Sequence, residues 1–440
     1  MSLAHVRFRF TLELLADLHI GTGAEQSLSA LRPRAGRAAS EGEAKEGPRV
    51  ALVARDHAGR PFLPPTALKG ALRKAFRAEA ADVSGWFGEI KEGDAGQMGR
   101  FAFYGGRAEP YRAGADLPLW SETEGTYLAT GVAIDRDSST ADHRKLFTVE
   151  MVPAGSRFEV EGTWFGPRAE AERNLPILLS PFAAKGGLAL GSGGRNGLGR
   201  ARLDPCALEI AETRFDPAMG EVVSDTRWTR LTVCAPPQKA GHHVRLALHC
   251  PGPFASVDPQ RGSGNRIGAL RRDAATPVLR PESIAGVLRA RAAWLCAAGG
   301  SEPEDRFRKP SSWKTPAELQ PVERLFGVSG FRGLLRIAAL EPTSEPQPDN
   351  DLTSIALDRF TGAVLESTLF VHEAYVNVGF DLDLNLETRV VEGVTYPLAA
   401  DTALFKELLD DLDGDVLLLG HATNRGFGWF DVKRVKGAMP

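Results

Sequence analysis

Cysteine is scarce in this chain: four in 440 residues, at positions 206, 234, 250 and 296, with no CxxC pair. That spacing supports neither a disulfide framework nor a zinc ribbon. The nine histidines form no HxxxH or HExxH pattern, so no metal site is expected from them. No run of about 18 apolar residues occurs, so no membrane-spanning helix is expected. The opening Met1-Ser-Leu-Ala-His-Val-Arg-Phe-Arg-Phe alternates like a strand and lacks the apolar core of a secretion signal. Cytoplasmic residence is the expectation. Neither sign of charge dominates, with 53 Lys and Arg against 56 Asp and Glu. A nucleic-acid surface would therefore be a local stripe and not a general field. GxxxxGK[ST] and GxGxxG are both missing, which argues against a nucleotide cofactor.

Glycine and arginine are present in a telling arrangement. Gly191-Ser-Gly-Gly-Arg195-Asn196-Gly197-Leu-Gly199-Arg200 is echoed by Gly420-His-Ala-Thr-Asn424-Arg425-Gly426-Phe-Gly428-Trp429. Glycine lets main chain approach a ligand closely, and arginine pairs bidentately with phosphate. Both stretches follow a helix-like segment and precede a strand, the reverse of a dinucleotide-binding turn.

Three further landmarks recur in the same order. Leu63-Pro-Pro-Thr-Ala-Leu-Lys69-Gly70-Ala-Leu72-Arg73 is echoed by Leu279-Arg-Pro-Glu-Ser-Ile-Ala285-Gly286-Val-Leu288-Arg289. Trp86-Phe87-Gly88 matches Leu325-Phe326-Gly327. Ala133-Ile-Asp135-Arg136, closing on Leu146-Phe147 and Glu150, matches Ala356-Leu-Asp358-Arg359 with Leu369-Phe370 and Glu373. Four matches in register imply a duplication. Each half reads strand, helix, strands, helix, glycine loop, strand. This predicts an α+β chain of two ferredoxin-like (RRM-like) domains in tandem, each with an inserted hairpin. The expected division is 1–215 and 228–440, with a new strand over Trp228–Ala235. Residues 24–49 and 341–351 are expected to be poorly ordered from composition.

These landmarks resemble the RAMP superfamily, backbone subunits of type III CRISPR effector complexes, in a fused two-domain form. The similarity rests on His19-Ile-Gly21, the Pro-x-x-x-Leu-Lys-Gly-x-Leu-Arg helix start, Asp358-Arg359-Phe-Thr361-Gly362, and the glycine loops. The first half departs from the pattern with Asp135-Arg136-Asp-Ser-Ser, and Ala285 stands where Lys69 does. The resemblance implies domains stacked on a guide RNA, gripping its sugar-phosphate backbone, with a hairpin thumb from each. It implies guide and target RNA and other effector subunits as partners. In several members an aspartate after the first strand cuts the target.

The candidate RNA contacts are Lys69, Arg73, Arg136, Arg195, Asn196, Arg200, Arg289, Arg359, Asn424 and Arg425. Lys69 and Arg73 could touch phosphate at a helix start or form a solvated face. The glycine loops could grip RNA or serve as tight turns, and Asp135 and Asp358 could simply cap turns. No aspartate lies between Gly21 and Asp56, and Asp56-His-Ala-Gly59 reads as a hairpin turn with Asp273 as its counterpart. The first half is therefore expected to be non-catalytic. Asp258, in Pro253-Phe-Ala-Ser-Val-Asp258-Pro259, is the one catalytic candidate. It could bind a divalent cation such as Mg2+ or orient a ribose hydroxyl, or it could close an Asp-Pro turn. No tightly bound cofactor is expected. Two rival readings remain: a guide-processing endoribonuclease using His19 as general base, and a non-catalytic subunit capping the guide's 5′ segment.

Overall fold

The opening strand sets the architecture. β1, His5–Leu14, alternates buried and half-buried residues along its length, placing Val6, Phe8, Phe10, Leu12 and Leu14 on one inward face. The computed structural model describes residues 5–31, 48–76, 84–88, 96–110, 116–134, 141–204, 207–216, 221–224, 227–236, 242–258 and 261–435, apart from 263, 303, 306–308, 344–345 and 349–350.

In the first half β1 is followed by α1 (Pro65–Phe76), β2 (Phe101–Ala108), β3 (Arg157–Phe165), α2 (Arg168–Ala183) and β4 (Arg200–Leu203). Antiparallel pairing gives the order β4-β1-β3-β2. In the second half β5 (His242–Cys250) leads to α3 (Pro281–Ala298), β6 (Leu335–Pro342), β7 (Val378–Leu386), α4 (Ala399–Leu412) and β8 (Trp429–Val435). Their order, β8-β5-β7-β6, is the same, and all these pairs are antiparallel. Even the irregularities repeat: β2 bulges between Phe103 and Gly105, and β6 between Ile337 and Ala339. Proline opens α1 and α3, where its missing N–H costs nothing. Leu68, Leu72 and Phe76 of α1, and Leu404, Leu408 and Leu412 of α4, repeat every fourth residue and are buried.

Each half encloses its own apolar core. One runs from Val6 to Val233, the other from Val244 to Val432. The strand expected to open the second half belongs instead to the first. Thr229–Leu231 pairs with Leu208–Ile210, which continues the sheet beside β1, and Arg9 lies 4.2 Å over the Trp228 ring. Part of the segment expected to be poorly ordered is also structured: Gly21–Ser27 pairs with Arg49–Val53. The hairpin turns are where expected. Asp56 accepts from Ala58 and Arg60 N–H, and Asp273 accepts from Ala275 N–H, each at 2.9 Å.

Candidate nucleic-acid interface

Both glycine loops fold the same way. A single 3-10 turn, Gly194–Asn196 or Thr423–Arg425, sits between residues of left-handed backbone: Gly193 and Gly197 in one, Ala422 and Gly426 in the other. Ser192 N–H donates to His19 O at 2.9 Å, and His421 N–H donates to Ala255 O at 2.7 Å. Gly199 N–H reaches Asp17 O at 2.8 Å, and Gly428 N–H reaches Pro253 O at 2.7 Å. Gly199 and Gly428 have φ of +67° and +64°. A Cβ on either would run into the carbonyl oxygen of Leu190 or Leu419, so both positions require glycine.

The side chains on these equivalent frames have different destinations. In the first loop the expected RNA contacts Arg195 and Arg200 turn toward the second half. Arg195 donates to Phe326 O, and Arg200, only 5% exposed, donates to Ala338 O at the β6 bulge. Glu341 stands 3.9 Å from Arg200. Burial holds both guanidiniums below their usual pKa, and the neighbouring Arg289 and Arg389 add to that for Arg195. These two arginines therefore serve the seam between the halves, because their donors are directed at backbone carbonyls. Asn196 is half-buried beside them. In the second loop Asn424, Arg425 and Gly426 are all exposed.

The second half answers with its own arginines. Arg261 and Arg271 approach Asp116 of the first half at 2.9 and 3.0 Å. Burial would raise the Asp116 carboxyl, but the two guanidiniums outweigh it and hold its pKa low. Arg272 reaches Asp17 at 3.2 Å, and Arg280 donates to Thr130 O.

The other candidates divide as follows. Lys69 lies 5.4 Å over the Phe101 ring, and the exposed Arg73 donates to Gly88 O at 2.9 Å. Arg289 is half-buried and paired with Glu304 at 2.6 Å. Arg136 lies outside the described residues. Arg359 is exposed at the tip of the second hairpin, Leu352–Leu357 with Val364–His372, beside a Phe360 that is 99% exposed. Asp358 caps that tip, accepting from Phe360 N–H, Thr361 N–H and the Thr361 hydroxyl. The Thr361 bonds, then Phe360, hold its carboxyl below the usual range. The capping alternative is thus the observed one for Asp358.

Asp258 pairs with Gly268 in a two-residue strand and is only 1% exposed. Its carboxylate faces protein and not an open groove. His19 is also buried, its Nδ1 bonded to Glu150 O at 2.8 Å.

One duplicated device escaped the sequence reading. The landmark Glu150 accepts from Val53 N–H at 3.0 Å and pairs with Arg55. Glu373 likewise accepts from Ala269 N–H at 2.9 Å and pairs with Arg271 at 2.7 Å. Each carboxylate ties a hairpin root to the adjoining strand. The recurring glutamates were visible, but their arginine partners fall outside the recognised repeats.

Among the described residues no helix is long and apolar enough to cross a membrane, and no group of three His, Cys, Asp or Glu could hold a metal ion. A search of curated proteins gives no match. The sequence profile of the RAMP superfamily matches residues 11–202 and again 249–431. Those two spans are the two halves that repeat each other in sheet order and loop geometry. The chain belongs to the RAMP superfamily, which fits a CRISPR-associated RNA-binding subunit.

Proposed function

We propose that the chain is a guide-RNA-binding backbone subunit of a type III CRISPR RNA-targeting complex, built as two ferredoxin-like modules each carrying a thumb hairpin. The β4-β1-β3-β2 order, repeated in the second half, with a helix in the first and last connections of each half, supports the modules. The exposed hairpin of the second half, with Ile355, Leu357 and Phe360 turned to solvent, supports the thumb. Guide RNA, target RNA and other effector subunits are the partners this reading requires.

The observation that carries it is the second glycine loop. It repeats a frame whose first copy is engaged in the seam, yet it leaves Asn424, Arg425 and the bare Gly426 backbone open to solvent. An exposed guanidinium beside an exposed carboxamide, on a turn that lacks a side chain at Gly426, suits a phosphate chain. Lys69, Arg73 and Arg359 are the further contacts in this reading. The burial of Asp258 supports scaffolding over cutting at that carboxylate.

Replacing Arg425 and Asn424 with alanine tests the reading by single-stranded RNA binding over a salt series. Each lost phosphate contact should reduce the slope of log K against log salt by about 0.7. An unchanged affinity and slope would overturn it.

A further inference from the structure

The two halves diverge in the space between glycine loop and hairpin root. In the first half that space is an open cavity of about 200 Å³, walled by His19, Gly131, Phe147, Gly193, Arg280 and Glu282. In the second half the equivalent positions carry rings. His372 stands where Val149 does, His421 where Ser192 does, and Phe427 where Leu198 does. The two imidazoles stack with centroids 5.7 Å apart, and Phe427 lies 5.7 Å from His372. One copy of the space is filled from within, and the other is open.

The open copy has a floor and an edge. Phe147 pairs across the hairpin with Gly131, and a Cβ there would strike the phenyl ring. Glycine thus lets the ring lie flat across the neighbouring strand, where it is 56% exposed. His19 is 8% exposed and lines the cavity. Its Nδ1 meets the Glu150 carbonyl, which only accepts, so in the neutral imidazole Nδ1 carries the proton and Nε2 is the acceptor. The third wall comes from the second half: Arg280, held by Thr130 O, and Glu282 in the first turn of α3. The volume is below the roughly 300–1,000 Å³ of drug-sized pockets and suits one flat ring system.

We propose that this cavity takes one unstacked nucleobase of a bound RNA strand, laid on Phe147 and met at its edge by His19 Nε2 and Glu282. This rests on the RNA-binding reading above and adds a base-specific site to it. Two acceptors at the edge favour a base with an exocyclic amine, namely adenine, cytosine or guanine, over uracil. The ring supplies stacking of the kind that serves single-stranded RNA generally.

The test uses the full chain and single-stranded RNAs carrying one 2-aminopurine at successive positions. In the wild type one position should brighten, because its base leaves the stack of its neighbours. Phe147→Ala should abolish that brightening and weaken binding roughly tenfold, within the range for one stacked base, without altering the salt slope, because no phosphate contact is lost. Phe147→Trp should keep the affinity. Uracil at the brightened position should weaken binding to the wild type. Brightening and affinity that survive Phe147→Ala would overturn the proposal, as would indifference to uracil. A thermal shift of the wild type by AMP or CMP alone would overturn the strand-bound form in favour of a free nucleotide. Failure to bind any RNA would instead defeat the RNA-binding reading itself.

Discussion

Arg200 separates a seam from an RNA contact more sharply than any other residue. Arg200→Met keeps most of the apolar stem and removes the donor to Ala338 O. A buried hydrogen bond to a charged group is worth about 1.5–3 kcal/mol. The Glu341 carboxylate at 3.9 Å, on a partly exposed side chain, adds at most about 1 kcal/mol. Against these stands the desolvation that already lowers the guanidinium's pKa. A net loss of about 2 kcal/mol follows. At roughly 2–4 °C per kcal/mol for units of this size, the melting temperature should fall about 4–8 °C. Calorimetry on wild type and variant measures the fall, and a salt series of RNA binding on the same samples should show no change in slope. A melting temperature within a degree of wild type, together with a shallower slope, would refute the reasoning and place the guanidinium on phosphate.

Gly199→Ala and Gly428→Ala should each cost at least about 1–3 kcal/mol from left-handed strain alone, with the clash on Leu190 or Leu419 added; urea unfolding measures it. His372 and His421 both have pKa values lowered by burial, with Arg425 beside each and His372 acting on His421. Their neutral forms favour the folded second half, so this contribution is complete above about pH 6.5 and is lost as the pH falls through the lower folded values. Melting curves from pH 7.5 to 5 should show the decline, and His421→Gln should flatten it. Asp258→Ala should leave target-RNA cleavage by the assembled complex unchanged, since the carboxylate is buried; a cleavage defect at wild-type stability would restore it as a catalytic group.

The parts legible in the sequence were those that backbone geometry enforces. Alternation marked β1 and β5, proline marked the starts of α1 and α3, and obligatory left-handed glycines made the loops recur in register. The strand at Thr229–Leu231 was visible, but its allegiance was not. A three-residue strand carries no sign of which sheet it joins; its pairing with Leu208–Ile210 and Trp228 under Arg9 tie it back. Arginine was the least legible residue. A guanidinium bonds a carbonyl, a carboxylate or a phosphate with the same fork of donors, so Arg195 and Arg425 look alike in sequence, yet one is bonded to Phe326 O and the other is exposed. The density of arginine over 261–280 was the one available sign that the second half reaches across to the first.

The guanidinium clasps between the halves have a metrical consequence. Arg195 and Arg200 grip from one side, and Arg261, Arg271, Arg272 and Arg280 from the other. The distance from one glycine turn to the next is thereby set by rigid contacts and not by the tether joining the modules. Lengthening the tether would leave that interval as it is, and a polymer passing both turns would meet them at one constant pitch.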